Sequence, residues 1–328
     1  MRISVIVPVF NGIQTLSGCL QALLGQSRPP DEIIVVDDGS TDHTAALAAT
    51  FPVTVLRQAN AGPAAARNYG AAMATGEILL FTDADCAPAA DWVARLAAPF
   101  VDPTISGAKG AYRSRQQALV ARFVQQEYLD RYDRMAGRPG IDFVDTYAAA
   151  YRRDVFLAAG GFDTTFPTAS VEDQELSFRL AAQGHRLVYV PEAMVAHRHD
   201  RTAAEYARRK YWIGYWKALV TRRFPAKLAA DSHTPQVLKL QLALALLGGT
   251  CLLAGGLGLI RRKRALSGGA GLWGLLLLSG FPFYQKIARR DARVLLVAPW
   301  LVFVRAWALA SGFLVGNLTF FLRRDEVS

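Results

Sequence analysis

The chain has 328 residues, 52% hydrophobic and 20% charged, with a formal net charge of +10; a chain this apolar is not a disordered one. Three widely separated cysteines exclude a disulfide scaffold and a Cys-x-x-Cys metal site. The charge is uneven: residues 1–200 carry 17 basic and 22 acidic side chains, residues 201–227 carry 8 and 1, and residues 228–328 carry 12 and 4. A nucleic-acid binder carries its cations on the folded domain, so this distribution argues against nucleic acid as a partner.

Residues 3–10 are a near-continuous apolar run, the pattern of a strand buried on both faces. The run ends at Asn11-Gly12, too early for a signal peptide, so residues 1–200 are expected to stay in the cytoplasm. Leucines recur at helical spacing over 15–25, residues 32–38 read as a second buried strand, and Ser40-Thr41-Asp42 suits the cap of a helix over 43–50. Residues 53–56 make a short third strand, the alanine-rich stretch 63–75 a helix, and 77–85 a fourth strand ending in carboxylates. This alternation predicts an α/β sheet of mostly parallel strands, in which ligands bind beyond the carboxyl ends of the strands. Asn11, Asp37, Asp38, Asp83 and Asp85 all fall at those ends.

The second half differs in kind, in line with a mean hydropathy of +0.17. Residues 205–224 interleave Tyr211, Trp212, Tyr215 and Trp216 with arginine and lysine, as in a helix lying among lipid headgroups on the cytoplasmic side. Residues 240–260 and 265–285 each hold no charged side chain over 21 positions, enough helix to cross a hydrocarbon core. Residues 294–322 are apolar except for Arg305, which is either functional or marks a break between two shorter helices. The basic run 261–264 conflicts with the positive-inside rule if 240–260 spans fully. The expected organisation is an α/β domain over 1–204, an interfacial segment over 205–236 and a membrane helical region over 237–328.

Asp83 and Asp85, at the end of the fourth strand, are expected on one face of an extended chain, so that both carboxylates reach one divalent ion. Such an ion would neutralise a diphosphate leaving group. Asp38 ends the second strand, where a carboxylate hydrogen-bonds a base or ribose. Residues 60–68 supply a tight turn and a cation, Arg67, where phosphates arrive. Glu172 and Asp173 open a short helix after the Gly160-Gly161-Phe162-Asp163 turn. A carboxylate at a helix start stays ionised, and near a cofactor crevice it is a candidate general base. His197 and His199 follow a strand over 187–190.

Taken in order, VIVPVFNG, VVDDGSTD, NAGPAAARNYG, FTDADC, GGFD and VEDQELSFRL resemble the family 2 glycosyltransferases of GT-A fold, over residues 3 to about 200. The resemblance implies an inverting, nucleotide-sugar-dependent enzyme with a Rossmann-like, mostly parallel sheet as its catalytic domain, using Mg²⁺ or Mn²⁺. It implies donor contacts at Pro8, Val9, Asn11, Asp38, Arg67, Asp83 and Ala84. Asp83, Asp85 and His197 would form the metal group, and Asp173 would be the base acting on the acceptor hydroxyl. Two positions depart from the family: Cys86 stands where many members carry a polar residue, and no Q-x-x-R-W motif of processive synthases follows Glu172-Asp173.

The expectation is therefore a non-processive transferase acting on a lipid or lipid-linked acceptor. It would be multi-pass in the inner cell membrane, with its catalytic domain cytoplasmic. A catalytically silent membrane scaffold of the same fold is the alternative, as is a processive synthase lacking the usual motif.

Overall fold

Burial on both faces decides which strands sit at the centre. The computed structural model describes residues 1–167, 170–229 and 231–322. By contacts it divides into two units, residues 1–115 with 132–198, and residues 116–131 with 199 onward. The chain begins with β1 (Ile3–Val9), buried at every position. Then come α1 (Leu16–Leu24), β2 (Glu32–Asp37), α2 (Thr44–Ala48), β3 (Thr54–Arg57), α3 (Pro63–Met73) and β4 (Ile78–Phe81). Next are β5 (Ala87–Pro88), α4 (Trp92–Ala97), β6 (Ile105–Arg113) and α5 (Leu119–Met135), whose residues up to Arg131 group with the second unit. The first unit closes with β7 (Ala149–Arg152), α6 (Arg153–Ala158), α7 (Glu172–Ala182) and β8 (Arg186–Ala196).

Among the described residues the strands form one sheet in the order β3-β2-β1-β4-β7-β6-β8-β5. β3, β2, β1 and β4 run parallel, from Ser4 opposite Glu32 to Val9 opposite Asp37 at the centre. β7 is antiparallel to β4 and β6, while β6 is parallel to β8. This mixed α/β sheet puts the carboxyl ends of β1, β2 and β4 side by side, with Asn11, Asp38 and Asp83 just beyond them. One expectation is corrected here: β4 stops at Phe81, and the Cys86 N–H donates to the Asp83 carbonyl at 3.0 Å. Asp83 and Asp85 therefore sit in a tight turn, not on one face of an extended strand. β6 and β7 were not foreseen.

The second unit holds α8 (Ala203–Arg223), started by a capping box between Thr202 and Glu205. It continues with α9 (Ala226–Ala229), α10 (Gln236–Gly256), α11 (Arg262–Ser279), α12 (Phe281–Asp291) and α13 (Ala298–Leu322). α10 and α13 are long and apolar enough to cross a membrane; α11 with the segment Phe281–Leu296 qualifies only as a pair bent by 47°. The bend falls at Gly280, and α13 runs unbroken through Arg305, so of the two readings of Arg305 the break is not the one found. The charge is satisfied where it stands. Arg305 donates to Glu127 at 2.8 Å and to Gln241 at 2.9 Å, and Lys210 and Tyr206 also meet Glu127, each at 3.0 Å. With both terminal nitrogens bonded to buried partners, the cation is held without a break in the helix. α8 approaches α13 backbone to backbone: a Cβ on Gly312 would lie 2.0 Å from the Tyr211 carbonyl oxygen, and one on Gly316 2.3 Å from that of Tyr215.

Candidate active site

Two turns beyond β1 and β2 lock onto each other. Asn11 holds a left-handed backbone with φ of 50°; its N–H donates to Ser40 Oγ at 2.9 Å and its Oδ1 accepts from the Thr41 N–H at 2.9 Å. Asparagine bears that conformation better than other residues with a Cβ. Asn11→Ala is expected to cost about 1–2 kcal/mol and Asn11→Gly clearly less, as urea unfolding would read. Asp38 is buried and accepts from Gln58 Nε2 at 2.7 Å and from the Ala61 and Gly62 N–H groups at 2.9 Å each. Its carboxylate thus shapes the turn at 60–62. Pro8 and Val9 lie buried on β1, and Ala84 is buried 3.9 Å from where a Cβ on Gly12 would stand.

Arg67 is almost wholly buried on α3, and both ends of its guanidinium are engaged. Nη2 donates to Asp83 at 2.7 Å and Nη1 to Glu172 at 3.1 Å, with the Phe162 ring 5.7 Å away. The cation expected to meet phosphates is instead clasped between the turn after β4 and the start of α7. The next residue of α3, Asn68, donates to the Phe162 carbonyl at 2.7 Å and accepts from the Phe162 N–H at 2.8 Å. Gly161, at φ 69°, leaves no room there for a Cβ, which would lie 2.4 Å from Asn68 Oδ1. Arg67 and Asn68 together tie the Asn-Ala-Gly-Pro stretch to the Gly-Gly-Phe-Asp turn.

Asp85 faces His197, which follows β8, with Nε2 to Oδ2 at 3.1 Å. Burial works against ionisation of Asp85, but the hydrogen bond and charge of His197 hold its carboxyl below the usual range. The ligand atoms of Asp85, Cys86 and His197 all lie within 4.8 Å of one another. Burial and the charges of Asp83 and Asp85 push the Cys86 thiol well up, and Cys19, buried nearby, donates to the Asp83 carbonyl at 3.5 Å. The Asp85 carboxylate suits Mg²⁺ or Mn²⁺, and the His197 nitrogen is a second donor beside it. Asp83, the third expected ligand, has a carboxylate turned to Arg67.

Asp173, half-buried in the first turn of α7, accepts from the Gln174 N–H at 2.7 Å. Burial, reinforced by the neighbouring Glu172 carboxylate, pushes it up to about 7. A carboxylate poised there can take a proton from a hydroxyl at neutral pH. The structure thus brings Arg67, Asp83 and Glu172 into one ion chain and pairs Asp85 with His197.

Three contributors went unread in the sequence. In the sequence Glu172 reads as a helix-start acid beside the base and not as a partner of Arg67, Cys86 as a departure from pattern, and Tyr112, whose ring lies under His197 with centroids 4.8 Å apart, carries no signal. Only the adjacency of Glu172 to Asp173 offered a signal.

Residues 4–158 match the family model described as Glycosyl transferase family 2. Among curated relatives, the pre-mycofactocin glycosyltransferase of Mycobacterium tuberculosis is 32% identical over 237 residues, covering 69% of this chain and 49% of that protein. The chain thus spans about half the length of that relative. The O-antigen chain rhamnosyltransferase RfbN of Salmonella typhimurium is 26% identical over 66% of this chain and 73% of its own. The glucosyl-dolichyl phosphate glucuronosyltransferase of Haloferax volcanii is 24% identical over 69% and 79%. Among solved structures, a mannosyltransferase from Pyrobaculum calidifontis in complex with GDP-Man and Mn²⁺ superposes with a TM-score of 0.58 at 24% identity, covering 99% of this chain and 88% of the other. That likeness shows a shared fold, the GT-A arrangement.

Proposed function

Because the chain belongs to glycosyl transferase family 2, we propose that it moves one sugar from a nucleotide-sugar donor to a lipid or lipid-linked acceptor, inverting the anomeric carbon. The acceptor group is a hydroxyl or a phosphate, and the transfer is non-processive. The observation that carries the reading is the meeting of His197 with Asp85 across 112 positions of sequence; Asp173 adjoins Glu172, which Arg67 links to Asp83. Relatives named for O-antigen and dolichyl phosphate substrates support the acceptor class. The apolar helices α10 and α13 support a membrane location; the proposal makes it a multi-pass one in the inner cell membrane, with the catalytic unit in the cytoplasm.

Asp85 and His197, which meet at 3.1 Å, would be the residues to hold a divalent ion between the turn after β4 and the end of β8. When bound, Mg²⁺ or Mn²⁺ supplies charge neutralisation to the departing diphosphate. Arg67 fixes Asp83 and Glu172, which holds the turn after β4 and the head of α7 in place. The loops closed by Asn11 and Asp38 frame the nucleotide side, together with Pro8, Val9 and Ala84. Asp173 takes the proton of an acceptor hydroxyl as its oxygen attacks the face opposite the leaving group, which inverts the configuration.

The test is turnover of a panel of nucleotide sugars by the full-length protein with vesicles carrying polyprenyl phosphates or glycolipids. One donor is expected to be consumed, with activity lost in excess chelator and restored by Mn²⁺ or Mg²⁺. Mass spectrometry should find a lipid heavier by a single sugar. Full turnover in chelator would overturn the metal, a ladder of products the non-processive transfer, and silence with every donor the enzyme.

A further inference from the structure

His197 rests on a built platform. Its imidazole lies over the ring of Tyr112, centroids 4.8 Å apart and planes 23° from parallel. Tyr112, near the end of β6, in turn lies flat on Tyr147. Behind these rings runs a hydrogen-bond chain whose direction is forced. The Tyr112 N–H donates to Tyr132 Oη at 2.6 Å, so that oxygen is an acceptor. The Tyr147 hydroxyl donates to Asp145 Oδ2 at 3.0 Å, because an ionised carboxylate only accepts. The 3.0 Å contact between the two tyrosine hydroxyls is therefore donated by Tyr132. The chain ends on an ion pair between Asp145 and Lys109, whose ammonium is buried and lies 4.7 Å from the centroid of the Phe143 ring.

A lysine buried in the middle of a strand is costly, and pairing it seldom gives a net gain in stability over apolar residues of the same size. What the pair does provide is a fixed anchor: Asp145 cannot turn away without breaking its ion pair with Lys109, and Tyr147 cannot slide without losing its bond to Asp145. We propose that Lys109, Asp145, Tyr147, Tyr132 and Tyr112 are positioning residues for His197, setting the plane of its imidazole so that Nε2 faces Asp85. The inference rests on the reading of Asp85 and His197 as the metal pair. Groups behind a ligand that fix its orientation typically change metal affinity about 10- to 100-fold when removed.

Mn²⁺ binding to the full-length protein in detergent, by calorimetry and by electron paramagnetic resonance, tests this without reference to turnover. Tyr112→Leu removes the platform, Tyr112→Phe keeps it, and Tyr147→Phe keeps the ring but cuts the chain before Asp145. Tyr112→Leu is expected to weaken Mn²⁺ binding by about 10-fold or more, Tyr147→Phe by several-fold, and Tyr112→Phe to bind nearly as the parent does. The carbon-bound ring proton signal of His197 in metal-free Tyr147→Phe should broaden or split as the imidazole samples more than one plane. If Tyr147→Phe does not fold, the leucine and phenylalanine variants at Tyr112 still decide. Parent-like Mn²⁺ affinity in Tyr112→Leu, with weak binding in His197→Ala, overturns the positioning role alone. Parent-like affinity in His197→Ala overturns the metal reading beneath it.

Discussion

Transfer to a hydroxyl acceptor by Asp173→Asn is expected to fall by about 10²- to 10⁴-fold, with nucleotide-sugar binding kept. Asparagine fills the same volume and can still accept from the Gln174 N–H, so the start of α7 keeps its shape and only basicity is lost. The pH dependence carries the same signature. Burial and Glu172 raise Asp173 from 3.8 to about 7, so the working carboxylate is formed only as pH climbs through neutrality. Parent activity should rise across that interval, and the residual activity of the variant should not.

Stability moves the other way. A carboxyl group raised in the folded state lends stability that is fully present below its unfolded value of 3.8 and is lost as pH rises through about 7. Asp173→Asn cannot ionise, so at pH 8 it should melt above the parent, by about 1–3 kcal/mol in stability, and at pH 4 by almost nothing. Rates from pH 5 to 9 and melting at pH 4 and 8 check both halves. A parent-like rate in Asp173→Asn beside a dead Glu172→Gln would place the base one residue earlier.

Arg67→Ala should cost about 3–5 kcal/mol, the usual penalty for stranding buried partners of an ion pair. Two carboxylates lose their counter-charge at once, Asp83 and the almost fully buried Glu172. In a unit of this size the loss corresponds to a fall of roughly 10 °C in melting temperature. Arg67→Lys should recover little, because one ammonium cannot serve two carboxylates on opposite sides as a guanidinium does. Adding Glu172→Gln to Arg67→Ala should return part of the loss, since the buried charge is then gone. A coupling near zero in that double-mutant cycle would show that the two residues do not act as a pair.

The central strands were legible because burial on both faces writes itself as an unbroken apolar run, as in β1 and β2. β6 obeys the same rule in the fold and yet hides it. A Cβ on Gly107 would lie 2.7 Å from Leu187 Cδ2, and one on Gly110 2.2 Å from the Ala193 carbonyl oxygen. The strand is therefore built of small residues around Lys109 and reads as a loop. The site divides likewise. Carboxylates at strand ends and at the head of α7 announce themselves by local pattern, whereas the grip of Arg67 on Glu172 spans 105 positions. The bond from Arg305 to Glu127 spans 178. No window of local sequence holds both partners.

That last span has a consequence for the order in which the chain is made. Glu127 leaves the ribosome 178 residues ahead of Arg305, which at about 5–20 residues per second is roughly 10–35 s. Over the same interval the glycine face of α13 that receives Tyr211 and Tyr215 does not yet exist. α8 therefore lacks this backbone contact until synthesis reaches the far end of α13. The sheet unit draws its residues from no later than Arg198 and can close during that pause. The nascent chain thus passes through a stage in which the sheet unit is complete and the helices of the second unit are not.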